Sequence, residues 1–141
     1  MTDAAEAQDQ PLGFHHIRLE LAREPGHPQG DAEIGYDILA PLDDERRLNA
    51  AIWRAAPERC RVRRFFHGAT MTFGRLRHAA PDRWFLDFEP GQADDVRGFR
   101  LADERFRVGE YVSLTQGADT QTYVVARAEP EERHDGGDRL L

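Results

Sequence analysis

Residues 60–78 read CRVRRFFHGATMTFGRLRH. Two runs in this stretch, Cys60 to Phe66 and Thr72 to His78, alternate their side chains with the period of two that is typical of β-strands. The segment between them, His67 to Met71, contains a glycine and predicts a turn. We therefore expect an antiparallel hairpin, which indicates a β-rich fold.

The turn at His67 to Met71 predicts which residues of the hairpin face each other. One face then carries arginines and phenylalanines in three facing pairs: Arg61 with Arg77, Arg63 with Arg75, and Phe65 with Phe73. The other face carries mostly small or apolar residues: Cys60 with His78, Val62 with Leu76, Arg64 with Gly74, and Phe66 with Thr72. Because a sheet must bury one apolar surface, we expect the arginines to point outward.

Short β-favouring runs recur on both sides of the hairpin. They are Phe14 to Arg23, Ile34 to Ile38, Trp84 to Phe88, Glu110 to Thr115 and Thr122 to Arg127, with a brief run at Phe99 to Leu101. Turn-forming residues separate them. About seven short antiparallel strands predict a mainly β fold, either a small barrel or a sandwich, with an α+β fold as the alternative.

One short α-helix is predicted before the hairpin. Asn49 is a good N-cap, Ala50 to Ala56 is rich in the best helix former, and Pro57 ends the segment. Leu48 and Trp53 occupy the positions of a hydrophobic staple, which fixes the entry of the chain into the helix. Two turns are too few to stand alone, so the helix must pack on the sheet.

The length of 141 residues suits one domain. We expect a single β-rich domain over residues 13–128, preceded by a disordered N-terminus, 1–12, and followed by a disordered acidic tail, 129–141. The N-terminus lacks the pattern of a signal peptide, and no apolar run could span a bilayer. Together with the single cysteine, these features predict a cytoplasmic protein.

The charge of the chain is unevenly distributed. The formal net charge is −7, yet Arg46 to Arg83 contains ten arginines against Glu58 and Asp82. All 19 basic residues are arginines. Each cation is therefore a planar, permanently charged group that can bind an oxyanion through two hydrogen bonds or stack on a ring.

The sequence contains no catalytic motif. Ser113 is the only serine, and it lies in a strand-like run without a nucleophile elbow. Cys60 shares a face with Val62, which favours a buried small side chain over a reactive thiol. The absence of lysine excludes Schiff-base chemistry, and no glycine-rich dinucleotide motif is present. We therefore predict no catalytic residue and no cofactor.

The sequence also does not space its histidines and carboxylates so that they could bind one metal ion together. His15 and His16 are adjacent on a strand and point to opposite faces. His16 and Glu20 share a face, but about 13 Å of extended chain separates them. We predict no metal site. The alternative is a pocket at the barrel mouth that serves a small-molecule or metal-dependent enzyme, with a lining of His15, His78, Tyr36 and Trp84.

The order of several segments resembles a family of small uncharacterised bacterial proteins. These segments are Phe14 to Leu21, Gly35 to Asp37, Ala40 to Leu42, Cys60 to Phe65, Gly74 to His78 and Gly109 to Ser113. The resemblance covers about residues 14–127. It implies one compact domain and no particular activity or ligand.

The outward arginines suggest a function. Directly opposed like charges destabilise a sheet, so counter-ions must come from the chain itself or from a partner. We expect a non-catalytic binding module that engages an acidic protein partner through six residues: Arg61, Arg63, Phe65, Phe73, Arg75 and Arg77. The alternative is nucleic acid, with bases stacked on the two phenylalanines. The net charge of −7 disfavours the approach of a polyanion.

Overall fold

The computed structural model describes residues 13–23, 26, 28–79, 83–88, 95–97 and 101–131. The predicted disordered segments extend over residues 1–12 and 129–141, and of these 1–12 and 132–141 lie outside the described residues. Residues 99 and 100 of the brief strand predicted at Phe99 to Leu101 also lie outside them, and Leu101 is in a turn.

Antiparallel strands form the whole described sheet. They are β1 (Phe14–Leu21), β2 (Asp31–Pro41), β3 (Arg61–Phe66), β4 (Ala69–Ala79), β5 (Arg83–Phe88), β6 (Val96–Arg97), β7 (Tyr111–Gln116) and β8 (Asp119–Pro130). Each strand pairs with the next along the chain, and β8 pairs with β1, which closes the sheet into a barrel. The predicted mainly β fold is confirmed, as a barrel of eight strands.

Several strands are longer than the sequence pattern predicts. β2 and β4 each have 11 residues, and β8 has 12. β8 continues past the predicted domain end at residue 128, because Glu129 pairs with His16 and Pro130 pairs with His15 on β1. The predicted start of the tail at residue 129 is therefore wrong. β6, with two residues, was not predicted.

The interior of the barrel is filled by apolar side chains. Alternate residues of the strands point inward, and Leu19, Leu86 and Val125 are fully buried there. An internal void between Leu48 and Leu114 measures about 10 Å³. That is close to the minimum volume for a single water molecule, so it cannot hold an organic ligand.

The predicted helix is confirmed as α1 (Ala50–Ala55), and a turn of 3₁₀-helix at Pro57–Arg59 follows it. The Ile52 backbone N–H donates to the side-chain oxygen of Asn49 at 3.2 Å, as the N-cap prediction requires. In the described part of the chain, no helix has the length and apolar character needed to cross a membrane.

Trp53 of α1 holds the helix against one end of the barrel. Its ring meets the rings of His78 and Trp84 edge to face, with centroids 5.7 and 6.0 Å away. Its Nε1–H donates to the Leu76 carbonyl oxygen at 2.8 Å. We call this end the closed end, and the opposite end, where the β3–β4 turn lies, the open end.

Arg46 ties a loop to the strands at the closed end. Its guanidinium donates to Nε2 of His15 and to the Ala128 carbonyl oxygen, both at 3.0 Å. The Phe106 N–H donates to the Arg46 carbonyl oxygen at 2.8 Å. Burial lowers the pKa of His15, and the nearby charge of Arg46 lowers it further, although a hydrogen bond to the Gly13 carbonyl opposes both. His15 is therefore a structural histidine.

Candidate functional site

The turn between β3 and β4 is shorter than predicted. His67 and Gly68 both adopt positive φ, 55° and 80°, and they join Phe66 directly to its partner Ala69. Two positive φ angles in a two-residue loop are typical of a type I′ turn, whose twist matches that of the strands. The predicted five-residue turn at His67 to Met71 is therefore wrong.

The short turn and a bulge change the register of the hairpin. Arg61 pairs with Arg75 rather than Arg77, and Arg63 pairs with Phe73 rather than Arg75. The bulge leaves Met71 as an extra residue on β4. Because the shift from the predicted register is two residues over Arg61 to Arg64, each side chain there stays on its predicted side of the sheet.

The structure places the six predicted site residues on the outer side of the barrel. We call this set the arginine face: Arg61, Arg63, Phe65, Phe73, Arg75 and Arg77. Their neighbours Val62 and Leu76 point into the core, and none of the six belongs to it. The shared face was predicted correctly, although the pairings within it were not.

Phe65 is covered rather than exposed. It is 1% accessible and lies on the outer surface over Gly35, its partner on β2. A Cβ added at Gly35 would overlap the Leu19 carbonyl oxygen and lie 3.0 Å from Cζ of Phe65. The aromatic ring therefore fills the space that the glycine leaves open.

Two guanidinium groups cover the Phe65 ring. The Cζ atoms of Arg18 and Arg63 lie 4.2 and 5.2 Å from its centroid, within the range of cation–π contacts. Phe65 thus positions the two cations and has no exposed ring for a partner. The prediction that Phe65 contacts a partner directly needs this correction.

Asp37 of β2 neutralises the cations above Phe65. Arg63 donates to Oδ2 of Asp37 at 2.8 Å and to Oγ1 of Thr70 at 2.8 Å. Arg18 lies 3.4 Å from Oδ1 of Asp37 and 2.8 Å from Glu20. The counter-ion of Arg63 is thus a residue of the neighbouring strand β2.

The remaining arginines of the face fall into two groups. Arg77 forms a salt bridge with Asp87 of β5 at 3.2 Å, although the cross-strand partner of Asp87 is Arg75. Arg61 and Arg75 stand directly opposite each other, and neither has a carboxylate within salt-bridge distance among the described residues. We call Arg61 and Arg75 the free arginine pair.

A groove of about 540 Å³ runs across the outer side of β8, β1, β2, β3 and β4. Its polar and aromatic lining comprises His16, Arg18, Asp37, Arg61, Arg63, Phe73, Arg127 and Glu129, with Leu39 among the apolar residues. The groove is thus lined by four arginines and only two carboxylates. Phe73 forms one wall of the groove and is 64% exposed. Arg61 also lines the groove, and its cross-strand partner Arg75 lies next to the groove without lining it.

Sequence reasoning missed the part of the groove that comes from β1, β2 and β8. Arg18, Asp37 and Arg127 all point outward, and alternation along each strand predicts that orientation. Alternation does not predict which residues stand side by side on neighbouring strands. In the structure, cross-strand pairing forms one row, in the order Arg127, Arg18, Asp37 and Arg63. That order depends on barrel closure.

The two candidate nucleophiles, Cys60 and Ser113, pack or hydrogen-bond within the sheet. Cys60 is fully buried, and burial raises the pKa of its thiol to about 11, so it is protonated at neutral pH. The Ser113 hydroxyl lies 3.2 Å from that of Thr122 on the neighbouring strand. Neither has a histidine as a hydrogen-bond partner among the described residues.

The residues of the alternative barrel-mouth pocket lie toward two different ends of the barrel: His15, His78 and Trp84 at the closed end, and Tyr36 at the open end. His78 and Trp84 lie at the closed end with ring centroids 4.3 Å apart, and His15 bonds to Arg46. Tyr36 packs against other rings and meets the ring of Tyr123 edge to face, with centroids 5.3 Å apart. Over the described ranges, no three His, Cys, Asp or Glu side chains are grouped as metal ligands.

The fold and the groove define the class of the protein as a closed, eight-stranded antiparallel barrel with a cationic outer groove. No family model, no curated protein and no solved structure matches the chain. The resemblance to a family of small bacterial proteins and the cytoplasmic location therefore stay predictions.

Proposed function

We propose that this barrel is a non-catalytic binding module that takes an acidic segment of a partner protein into the outer groove. The free arginine pair carries the proposal. Arg61 and Arg75 are directly opposed like charges, an arrangement that destabilises a sheet. A bound carboxylate would relieve that repulsion, and two guanidinium groups can each bind it through paired hydrogen bonds.

The surroundings of the pair favour a peptide that is both acidic and apolar. Phe73 is 64% exposed beside the groove, and Leu39 contributes an apolar surface within it. Exposed aromatic side chains next to arginines are typical anchors of protein interfaces. An acidic segment with an aliphatic or aromatic residue next to its carboxylates would use both features.

The same surface is less suited to nucleic acid. Phe65 is covered by Arg18 and Arg63, which leaves Phe73 as the exposed ring of the two that the stacking model requires. Asp37 and Glu129 line the groove and would repel phosphates. The net charge of −7 opposes the long-range approach of a polyanion.

Selection from a random peptide display library tests the proposal. We expect the intact chain to enrich peptides in which Asp or Glu stands beside an apolar residue. The double variant Arg61→Glu with Arg75→Glu should lose this enrichment, because it replaces both free cations by anions. The affinity of a selected peptide, measured by fluorescence anisotropy, should fall by about a hundredfold or more in the double variant.

The matched control is Arg54→Glu with Arg107→Glu. These two arginines are exposed outside the groove, and the change in net charge is the same. The control should keep the affinity of the intact chain within about threefold. Enrichment of neutral peptides, or equal loss in the control, would contradict the proposal. Tighter binding of a single-stranded oligonucleotide, lost in the groove variant alone, would favour nucleic acid instead.

A further inference from the structure

Arg64 points to the inner side of the barrel, unlike its neighbour Arg63. It pairs with Tyr36, and paired residues project from the same side of a sheet. Tyr36 belongs to the core, and the Arg64 Cζ atom lies 5.7 Å from its ring centroid. A cation therefore stands at the inner rim of the open end.

Asp119 and Asp31 line the two hollows beside Arg64, but neither is paired with its guanidinium. Among the described residues, no carboxylate lies within salt-bridge distance of its guanidinium. A charge on the inner side of a barrel loses part of its hydration, which is costly unless another group replaces the water. The ring of Tyr36 supplies only a weak cation–π contact at this distance.

Two hollows meet at Arg64. They measure about 400 Å³ and about 360 Å³, and both are lined by Arg64, Tyr36, Gln121 and Tyr123. Each is within the size range of small-molecule pockets. Because the barrel interior below them is solid, a ligand here would sit in the mouth and not in the core.

The shared wall of the hollows is a row of hydrogen-bonding groups. Tyr36 packs edge to face with Tyr123, with ring centroids 5.3 Å apart, and the Tyr123 hydroxyl donates to Oε1 of Gln121 at 3.1 Å. Burial raises the pKa of Tyr36, so its hydroxyl stays protonated. The larger hollow adds Gln116 and Asp119, groups that can exchange hydrogen bonds with ligand hydroxyls.

We propose that the open end of the barrel binds a small organic carboxylate with a hydroxylated body. Arg64 would hold the carboxylate through two parallel hydrogen bonds, which its planar guanidinium is shaped to make. Gln116, Gln121 and Asp119 would bind the hydroxyls. This site is independent of the outer groove, because Arg63 and Arg64 project from opposite sides of β3.

Binding is measured on the full chain by two-dimensional ¹⁵N–¹H NMR, with D-glucuronate as the probe. We expect glucuronate to shift the amide signals of Tyr36, Gln121 and Tyr123, with a dissociation constant on the order of 1 mM or below. Glucose has the hydroxyls without the carboxylate and should cause no such shifts. Benzoate has the carboxylate without the hydroxyls and should bind more weakly than glucuronate.

Substitutions at adjacent positions separate the two sides of the strand. Arg64→Gln should weaken glucuronate binding by about tenfold or more, and Arg64→Lys by less, because lysine keeps the charge but not the paired donors. Arg63→Gln is the matched control and should leave the affinity unchanged.

Three results would overturn the proposal. They are equal shifts with glucose and glucuronate, shifts confined to groove residues such as Leu39 and Phe73, and unchanged affinity in Arg64→Gln. The first two comparisons use the unsubstituted chain, so they decide the question even if a variant does not fold. These three tests do not depend on the proposed peptide binding in the groove, so a failure of that proposal would leave them valid.

Discussion

Within the described residues, the two ends of the barrel differ in what covers them. At the closed end, Trp53 and Trp84 pack edge to face, and Arg46 ties a loop to His15. At the open end, Arg64 and the hydroxyls of Tyr36 and Tyr123 line solvent-accessible hollows. The comparison predicts that stability resides mainly at the closed end, and that the proposed binding surfaces at the open end and in the outer groove contribute less to it.

The largest expected effect is on the free energy of unfolding at the closed end. Trp84 is 3% exposed, and Trp84→Ala should lower that free energy by about 3–5 kcal/mol through lost burial and the cavity left behind. Arg64→Gln at the open end should change it by no more than about 0.5 kcal/mol. Urea denaturation of both variants measures the difference. Equal losses would show that the open end is also structural.

A smaller effect should separate the two kinds of arginine on the outer face. Arg61→Gln with Arg75→Gln removes an opposed like-charge pair and should raise the free energy of unfolding by up to about 1 kcal/mol. Arg63→Gln with Arg77→Gln removes partners of Asp37 and Asp87 and should lower it by about 0.5–2 kcal/mol. Thermal denaturation at low salt compares the two double variants. Destabilisation by the first one would mean that the free arginine pair has internal counter-ions.

The smallest effect concerns pH at the closed end. The pKa of His15 is lowered from 6.5 by burial, so the unfolded chain takes up a proton before the folded chain does. Neutral His15 makes its full contribution to the free energy of unfolding above about pH 6.5, and this contribution decreases as the pH falls toward the pKa of His15 in the folded chain. The stability difference between the unsubstituted chain and His15→Gln should therefore narrow between about pH 7.5 and about pH 5.5. Parallel stability curves would contradict this assignment.

Local sequence pattern predicted the features that depend on neighbouring residues. Asn49 and Pro57 mark the ends of the helical segment, and alternation in Arg61 to Phe66 assigns each side chain to a face. The register of the hairpin was not predicted, because it depends on the positive φ of His67, which is uncommon for a residue other than glycine. The assignment of faces survived, since a two-residue shift preserves alternation.

The candidate sites required information from distant strands. Asp37 neutralises Arg63 from 26 residues away, and Arg18 joins them because β1 and β2 pair in one particular register. Alternation did place Arg64 on the inner side, opposite Gly74, but it could not show that the position lies at the mouth of a closed barrel. The hollows beside Arg64 also depend on Gln121 and Tyr123 of β8, which lie across the opening.

Closure of the barrel has a consequence for the way in which a partner is held. Each of β1, β2, β3 and β4 is hydrogen-bonded along both edges, so the strands of the groove offer no free backbone edge for strand addition. Under the proposed function, a bound segment would be held by side chains, chiefly by guanidinium groups. Its complex should therefore dissociate readily as the ionic strength rises, unlike complexes held by shared backbone hydrogen bonds.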